Sequence, residues 1–240
     1  MLRVLHDIAE PAAHGIDPEA LRTDIAHLRE QLPSAELYRS LVPGEPALAV
    51  SILVADETSW SAVVRARESY PTYHQLLRAV GAEIYAAESF AIQNGQWVSE
   101  ETLTENSDSV IFWPGDAPVR IAIHNAVEDN PEMRALTAAE IADTRREPGC
   151  ESYCWYENVE LKNHLLLLEL WSDQQIYDLH WFGRMDTGDY RGDSGRQPSE
   201  MYRGQPSREF YRYHHFDYHY GRLLPRRAAH NSHTVRWSAR

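Results

Sequence analysis

Residues Val119–Arg184 read VRIAIHNAVEDNPEMRALTAAEIADTRREPGCESYCWYENVELKNHLLLLELWSDQQIYDLHWFGR. The opening run alternates, so Ile121 and Ile123 face one side of a strand while Arg120, Ala122 and His124 face the other. Asn130 and Pro131 then supply a cap and a first-turn proline. The helix they start is expected to turn Met133, Leu136, Ala139 and Ala142 inward and to stop at Glu147-Pro148-Gly149-Cys150. Cys150–Tyr156 and His164–Trp171 read as two more strands. After Trp171, Ser172 and Gln175 form a capping box for a helix that carries Tyr177 and His180. Ile176, Leu179 and Phe182 are the expected buried face of that helix.

Upstream the chain repeats this order. Asp17 and Pro18 start a helix with an apolar stripe of Leu21, Ile25, Leu28 and Leu32, ended by Pro33. Residues 33–46 connect it to a strand at Ala47–Val54. Thr58 or Ser59 caps a helix with Trp60, Val63 and Val64, which Pro71 interrupts. Tyr73, Leu76, Leu77 and Val80 then make a helical face closed by Gly81. Two strand-like runs flank Asn94-Gly95, a dipeptide suited to a two-residue hairpin turn.

The expectation is therefore an α+β chain with two diverged copies of a βαββ-type unit. Residues 1–46 would be an N-terminal helical extension, 47–105 a degenerate first unit and 106–118 a linker. Residues 119–240 would be the second unit, with a long loop or lid at 185–208. The first copy reads as lacking the helix after its third strand. A single α+β domain with an unrelated N-terminal extension is the alternative.

Composition narrows the partners. A formal charge of −13 argues against nucleic acid, whose phosphates such a surface repels. No apolar run approaches membrane-span length and Met1-Leu2-Arg3 opens no signal peptide, so a cytoplasmic location is expected. Cys150 and Cys154 would lie about 13 Å apart on one strand face, too far for a disulfide. His215 and His219 share a strand face at a similar separation, and no metal site is expected there.

The order and wording of Val119–Arg184 resemble the antibiotic biosynthesis monooxygenase family, small α+β domains that oxygenate polycyclic phenols and quinols. The resemblance covers a little over a quarter of the chain. It implies a ferredoxin-like dimeric α/β barrel, here as an intrachain pseudo-dimer of two tandem units. Family members that oxidise aromatic polyketides carry a Trp at the end of this strand and a Tyr six residues on. Trp171 and Tyr177 match both. Those members also carry an Asn four residues before the Trp, where this chain has Leu167, which cannot donate a hydrogen bond.

His180, three residues after Tyr177, can face the same cavity and is the first candidate base, with Tyr177 beside it. His124 is a second base candidate if its strand face lines the cavity. Tyr153 and Trp155 share a strand face and could form a wall, with Trp171 and Leu167 completing the substrate-binding set. For each of these residues, plain core packing is the competing reading.

The leading functional expectation is an O₂-dependent oxygenase of a polycyclic aromatic polyketide quinol in antibiotic biosynthesis, with ring cleavage. Its nearest look is to the angucycline B-ring-opening oxygenases. By resemblance alone this implies reduced flavin (FADH₂) as a diffusible cosubstrate from a separate reductase. No G-x-G-x-x-G follows a strand, and neither metal nor haem is implied. A cofactor-independent anthrone or quinol monooxygenase that hydroxylates without ring opening is the runner-up. A non-catalytic ligand-binding barrel is a third reading, and homodimerisation is compatible with all three.

Overall fold

The computed structural model describes residues 1–86, 90–93, 96–99, 107–112, 118–126, 131–187, 207–211, 215–219, 222–225 and 233–238. Its elements divide between two compact units.

The first unit is built on β1 (Leu2–Ile8), α1 (Pro18–Arg29), β2 (Glu36–Ser40), β3 (Leu48–Val54), α2 (Glu57–Arg65), α3 (Pro71–Val80) and β4 (Glu83–Ala86). Its sheet runs β2-β3-β1-β4, antiparallel throughout, which is a complete ferredoxin-like βαββαβ arrangement. Next in the chain come β5 (Phe90–Gln93), β6 (Gln96–Ser99) and β7 (Ser107–Phe112), which belong to the second unit. Gln93 pairs with Gln96, the register that a two-residue connection requires. Asn94 and Gly95 themselves lie outside the described residues.

The second unit repeats the plan with β8 (Val119–Ala126), α4 (Pro131–Thr144), β9 (Cys150–Asn158), β10 (His164–Trp171), α5 (Gln174–Thr187) and β11 (Ser207–Tyr211). Its sheet order is β11-β8-β10-β9, the same order as in the first unit when read from the fourth strand. The chain closes with β12 (His215–His219), β13 (Arg222–Pro225) and β14 (His233–Ser238). Most of the expected 185–208 loop, together with His214 and His230, lies outside the described residues, as do the side chains of His215, His219 and His233.

The registers coincide in detail. Arg3 of β1 stands between Leu53 of β3 and Tyr85 of β4. Arg120 of β8 stands between Leu170 of β10 and Tyr211 of β11. One step along, Glu83 is opposite Leu5 and Glu209 is opposite Ala122. A Leu–Arg–Tyr row with a Glu two residues before the Tyr therefore recurs at the same place in both sheets.

This alters the expected organisation of the N-terminus. Residues 1–46, expected to form a helical extension, hold β1, α1 and β2, and β1 sits between β3 and β4. The first copy thus starts at Leu2, and α2 with α3 takes the place of the helix it was expected to lack. Arg3 and His6 broke the apolar pattern of β1, yet both are buried and bonded: Arg3 Nη1 donates to Ser51 Oγ at 3.1 Å. The expected 106–118 linker contains β7.

Local chemistry explains where the helices begin. Asp17 accepts hydrogen bonds from the backbone N–H groups of Glu19 and Ala20, with Pro18 opening α1. Asp56, rather than Thr58 or Ser59, caps α2 through the Ser59 N–H at 2.8 Å. No side chain at the N-cap position of α3 bonds to the helix. Asp24 of α1 accepts from its Thr72 and Tyr73 N–H groups at 2.6 and 2.9 Å. The first core then closes around Val4, Ile8, Leu21, Ile25, Val50, Ile52, Trp60 and Tyr73. Fully burying each aliphatic side chain there contributes roughly 1.5–3 kcal/mol.

Candidate active site

The site lies within the second unit, on the sheet face that α4 and α5 cover. Residues directly opposite in an antiparallel pair share a face. Trp171, Glu169 and Leu167 of β10 stand opposite Val119, Ile121 and Ile123 of β8. The Trp171 indole meets the His180 imidazole of α5 with ring centroids 4.3 Å apart, which makes this the helix-covered face. On β9 the Tyr153 hydroxyl donates to Glu140 Oε1 of α4 at 2.8 Å, and its ring lies 6.1 Å from that of His180. Trp155, two residues further along β9, shares that face by alternation.

His180 sits at the centre of the cluster. Its Nδ1 is 2.5 Å from Glu147 Oε2, and because an ionised carboxylate only accepts, Nδ1–H donates. That bond fixes the tautomer and leaves Nε2 as the nitrogen able to take a proton. Nε2 is 4.0 Å from Glu169 Oε2, which itself accepts from Trp171 Nε1 at 2.8 Å. Tyr177 is stacked near the imidazole at 6.3 Å and tilted against Trp171 at 6.2 Å. Trp171 and Tyr177 are fully buried, and Glu169 is only 1% exposed. A carboxylate buried so deeply is sustained by hydrogen bonds such as the one from the indole.

Backbone placement accounts for this convergence. The turn after α4 carries Glu147 and then Gly149, whose φ is +78°. A Cβ on Gly149 would come within 2.7 Å of Ser172 Oγ and 2.8 Å of Ile176 Cγ2, so this turn packs directly against the start of α5. The Ser172 N–H also donates to the Gly149 carbonyl at 2.9 Å. α5 is capped by Asp173, whose Oδ1 accepts from the Ile176 N–H at 2.9 Å, and not by the expected Ser172.

That one-residue difference accompanies a rotated helix face. Tyr177, His180 and Trp181 are buried while Leu179 is 71% exposed and Ile176 half-buried; the Phe182 side chain lies outside the described residues. α4 departs from expectation in the same way. Thr137, Glu140, Ile141 and Thr144 face inward, Ala139 and Ala142 are exposed, and Leu136 is half-buried. The polarity of this face matches the site it covers.

Trp171, Tyr177, His180 and Tyr153 therefore come together, with Leu167 and Trp155 on the same sheet face. His124 does not join them. It shares the opposite face of β8 with Arg120 and Ala122, across the sheet from His180. Glu140, Glu147 and Glu169 escaped the sequence reading. Glu169 alone had a legible signal, as the single charge inside the run LLLLELW. Cys150 and Cys154 are not joined in a disulfide. Among the described residues, no group of three or more His, Cys, Asp or Glu side chains converges as a metal-ligand set.

The first unit carries the same scaffold without this chemistry. By the shared register, Val54 and Ile52 occupy the places of Trp171 and Glu169. Tyr73 and Leu76 of α3 have the spacing of Tyr177 and His180. Asp24-Ile25 of α1 parallels Glu140-Ile141 of α4, both pairs buried, but Asp24 is committed to capping α3. Of the two buried histidines among the described residues there, His6 and His74, His6 has a structural role. Its Nδ1–H donates to the Gly81 carbonyl at 2.5 Å, and its Nε2 accepts from the Tyr73 hydroxyl at 3.0 Å. Burial pushes its pKa down to about 4, against smaller raising contributions from the Gly81 carbonyl and Glu83.

Comparison with known proteins falls on the same segment. Residues 123–181 match the family model described as antibiotic biosynthesis monooxygenase. A stretch of 68 residues is 34% identical to an uncharacterised protein of Synechocystis sp., covering 28% of this chain. The chain spans 46% of the length of that relative.

Among solved structures, a protein of Mycobacterium tuberculosis is similar to 39% of this chain at 25% identity, with 92% of its own length covered and a TM-score of 0.31. An aldoxime dehydratase is similar over 87% of this chain and 77% of its own, at 12% identity and a TM-score of 0.44. An anthrone oxidase-like protein is similar over 97% and 92% respectively, at 9% identity and a TM-score of 0.29. Among the described residues, no helix is long and apolar enough to cross a membrane.

Proposed function

We propose that this chain, whose residues 123–181 belong to the antibiotic biosynthesis monooxygenase family, is a monooxygenase that oxidises a flat, electron-rich phenol or quinol with O₂. The observation that carries this reading is the His180 imidazole held 4.3 Å from the Trp171 indole, with Glu147 on Nδ1. Aromatic faces suit a flat ring system, and a histidine of fixed tautomer suits proton removal from it.

In this mechanism His180 Nε2 takes a proton from the substrate, and Glu147 stabilises the imidazolium that forms. The resulting carbanion or phenolate passes one electron to O₂, and the radical pair combines to a peroxide. For an anthrone-type CH₂ centre, loss of water from the peroxide leaves a carbonyl: one oxygen atom enters the product and the other leaves as water. The substrate supplies all four electrons. Burial of Trp171, Tyr177 and Tyr153 keeps water from the reactive intermediates.

The finer reading is cleavage of a C–C bond in a hydroxylated polycyclic quinone of the angucycline type. It rests on the Trp171 and Tyr177 match. The flat faces of those residues would equally accept flavin, and reduced flavin from a separate reductase would supply electrons to O₂ in that version. Mixing enzyme with an anthrone or hydroxylated tetracyclic quinone without air, with and without FADH₂, and then pulsing ¹⁸O₂ tests both levels. One ¹⁸O atom in the product supports the monooxygenase reading. Turnover without FADH₂ removes the flavin-dependent version, and no label under either condition removes the whole reading.

A further inference from the structure

At the site of the second unit, three hydrogen-bond donors are committed to carboxylates. Tyr153 gives its O–H to Glu140, Trp171 gives its N–H to Glu169 and His180 gives Nδ1–H to Glu147. Leu167, Val119, Ile121 and Ile123 have no side-chain donor to give. Trp155 differs from all of these. Its side chain is 1% exposed, and Nε1 finds no acceptor among the described residues. A buried donor left without an acceptor is costly, and native folds seldom retain one.

We infer that the Trp155 indole N–H is the donor that orients an oxygen atom of the bound aromatic substrate. This rests on the monooxygenase reading and deepens it. β9 and β10 are neighbours in the sheet, and Trp155 stands on the same face as Leu167, Trp171 and Tyr153. The first unit's counterpart of Leu167 is Val50, which is also apolar, so β10 and β3 both lack a donor at this point. An indole N–H is a donor only, so it favours a carbonyl or phenolate oxygen. An oxygen held there gains strength as negative charge develops on it during deprotonation by His180. Trp155 thus fits a quinone carbonyl or phenolate and adds nothing for a bare hydrocarbon ring of the same shape.

The test uses the 240-residue chain labelled with ¹⁵N-tryptophan and ¹⁵N-histidine, and two probes of matched shape, 1,4-naphthoquinone and naphthalene. The Trp155 indole resonance is assigned by its loss in Trp155→Phe. Naphthoquinone is expected to move that resonance downfield, while naphthalene leaves it nearly unchanged. Trp155→Phe is expected to weaken naphthoquinone binding by about tenfold and naphthalene binding by less than twofold.

A saturating quinone that shifts the His180 ring signals but leaves the Trp155 N–H in place would overturn the assignment alone. So would equal weakening of both probes, or an indole N–H already bonded to a slowly exchanging internal water that quinone does not displace. If quinone perturbs neither His180 nor Trp155, the monooxygenase reading fails along with it. Sequential assignment of the parent chain identifies the same resonance, so its spectra decide the matter even if Trp155→Phe does not fold.

Discussion

Glu147 accepts the Nδ1 proton of His180 at 2.5 Å, although 33 residues separate them in the chain. The contact joins the turn after α4 to the third residue beyond Tyr177 on α5, so the orientation of the imidazole depends on two elements at once. Removing either partner should separate chemistry from binding. His180→Ala is expected to lower kcat by about 10²–10⁴. Glu147→Gln keeps the shape but no longer stabilises the imidazolium, and a loss of roughly 10–100-fold in kcat is expected with little change in KM. Oxygen uptake at saturating anthrone measures both. Full turnover by His180→Ala would remove the histidine from the mechanism.

Gly149 offers a test of how the turn is held. Its φ of +78° and the close approach of Ser172 and Ile176 leave no room for a methyl group. Gly149→Ala should cost about 1–3 kcal/mol in urea unfolding and should also lower activity by displacing Glu147. A variant as stable and as active as the parent would show that the turn has slack.

The paired acids of the two units should respond differently. Asp24→Ala removes the bonds to Thr72 and Tyr73 and is expected to destabilise the fold by about 1–2 kcal/mol. For Glu140 the telling quantity is its coupling to Tyr153. A double-mutant cycle of Glu140→Gln and Tyr153→Phe should give roughly 1–3 kcal/mol, the range for a hydrogen bond to a charged group. Coupling near zero in denaturant titrations would mean that the 2.8 Å bond contributes nothing net.

His6 makes stability depend on pH in a defined direction. Its pKa is lowered from 6.5 to about 4 in the folded chain by burial. Above pH 6.5 both folded and unfolded forms are neutral, so its neutral state carries no penalty. As pH falls from 6.5 to 4, the unfolded chain takes up a proton that the folded chain refuses. Stability therefore drops by about 1.4 kcal/mol per pH unit, about 3 kcal/mol across the window. Urea titrations of the parent and His6→Leu between pH 7.5 and 4 should show this as a difference in slope. Parallel curves would mean that His6 charges freely in the native state.

The sequence revealed the element order of the second unit because its strand runs and the stop of α4 at Glu147-Pro148-Gly149 were legible. The apolar pattern nevertheless misplaced the buried faces of α4 and α5. Tyr177 and His180 were legible as a pair because three residues on a helix nearly complete a turn. What escaped was polar and buried. Arg3 and His6 disguised β1 as an irregular leader, since their hydrogen bonds to Ser51, Gly81 and Tyr73 form only in the folded chain. Glu140 drew no reading and Glu147 was read only as part of the helix stop, because their partners Tyr153 and His180 meet them only in the folded chain. His124 was placed correctly by alternation, but only the contact between Trp171 and His180 could show which face was covered.

The recurring Leu–Arg–Tyr row bears on how a site in such a chain can be tuned. Two identical subunits must accept every mutation twice, so a substitution that sharpens one site is imposed on the other. A chain that encodes both copies is released from that symmetry. Here Val54 and Ile52 stand in the first unit where Trp171 and Glu169 stand in the second, so a substitution that tunes one site leaves the residues of the other unit unchanged.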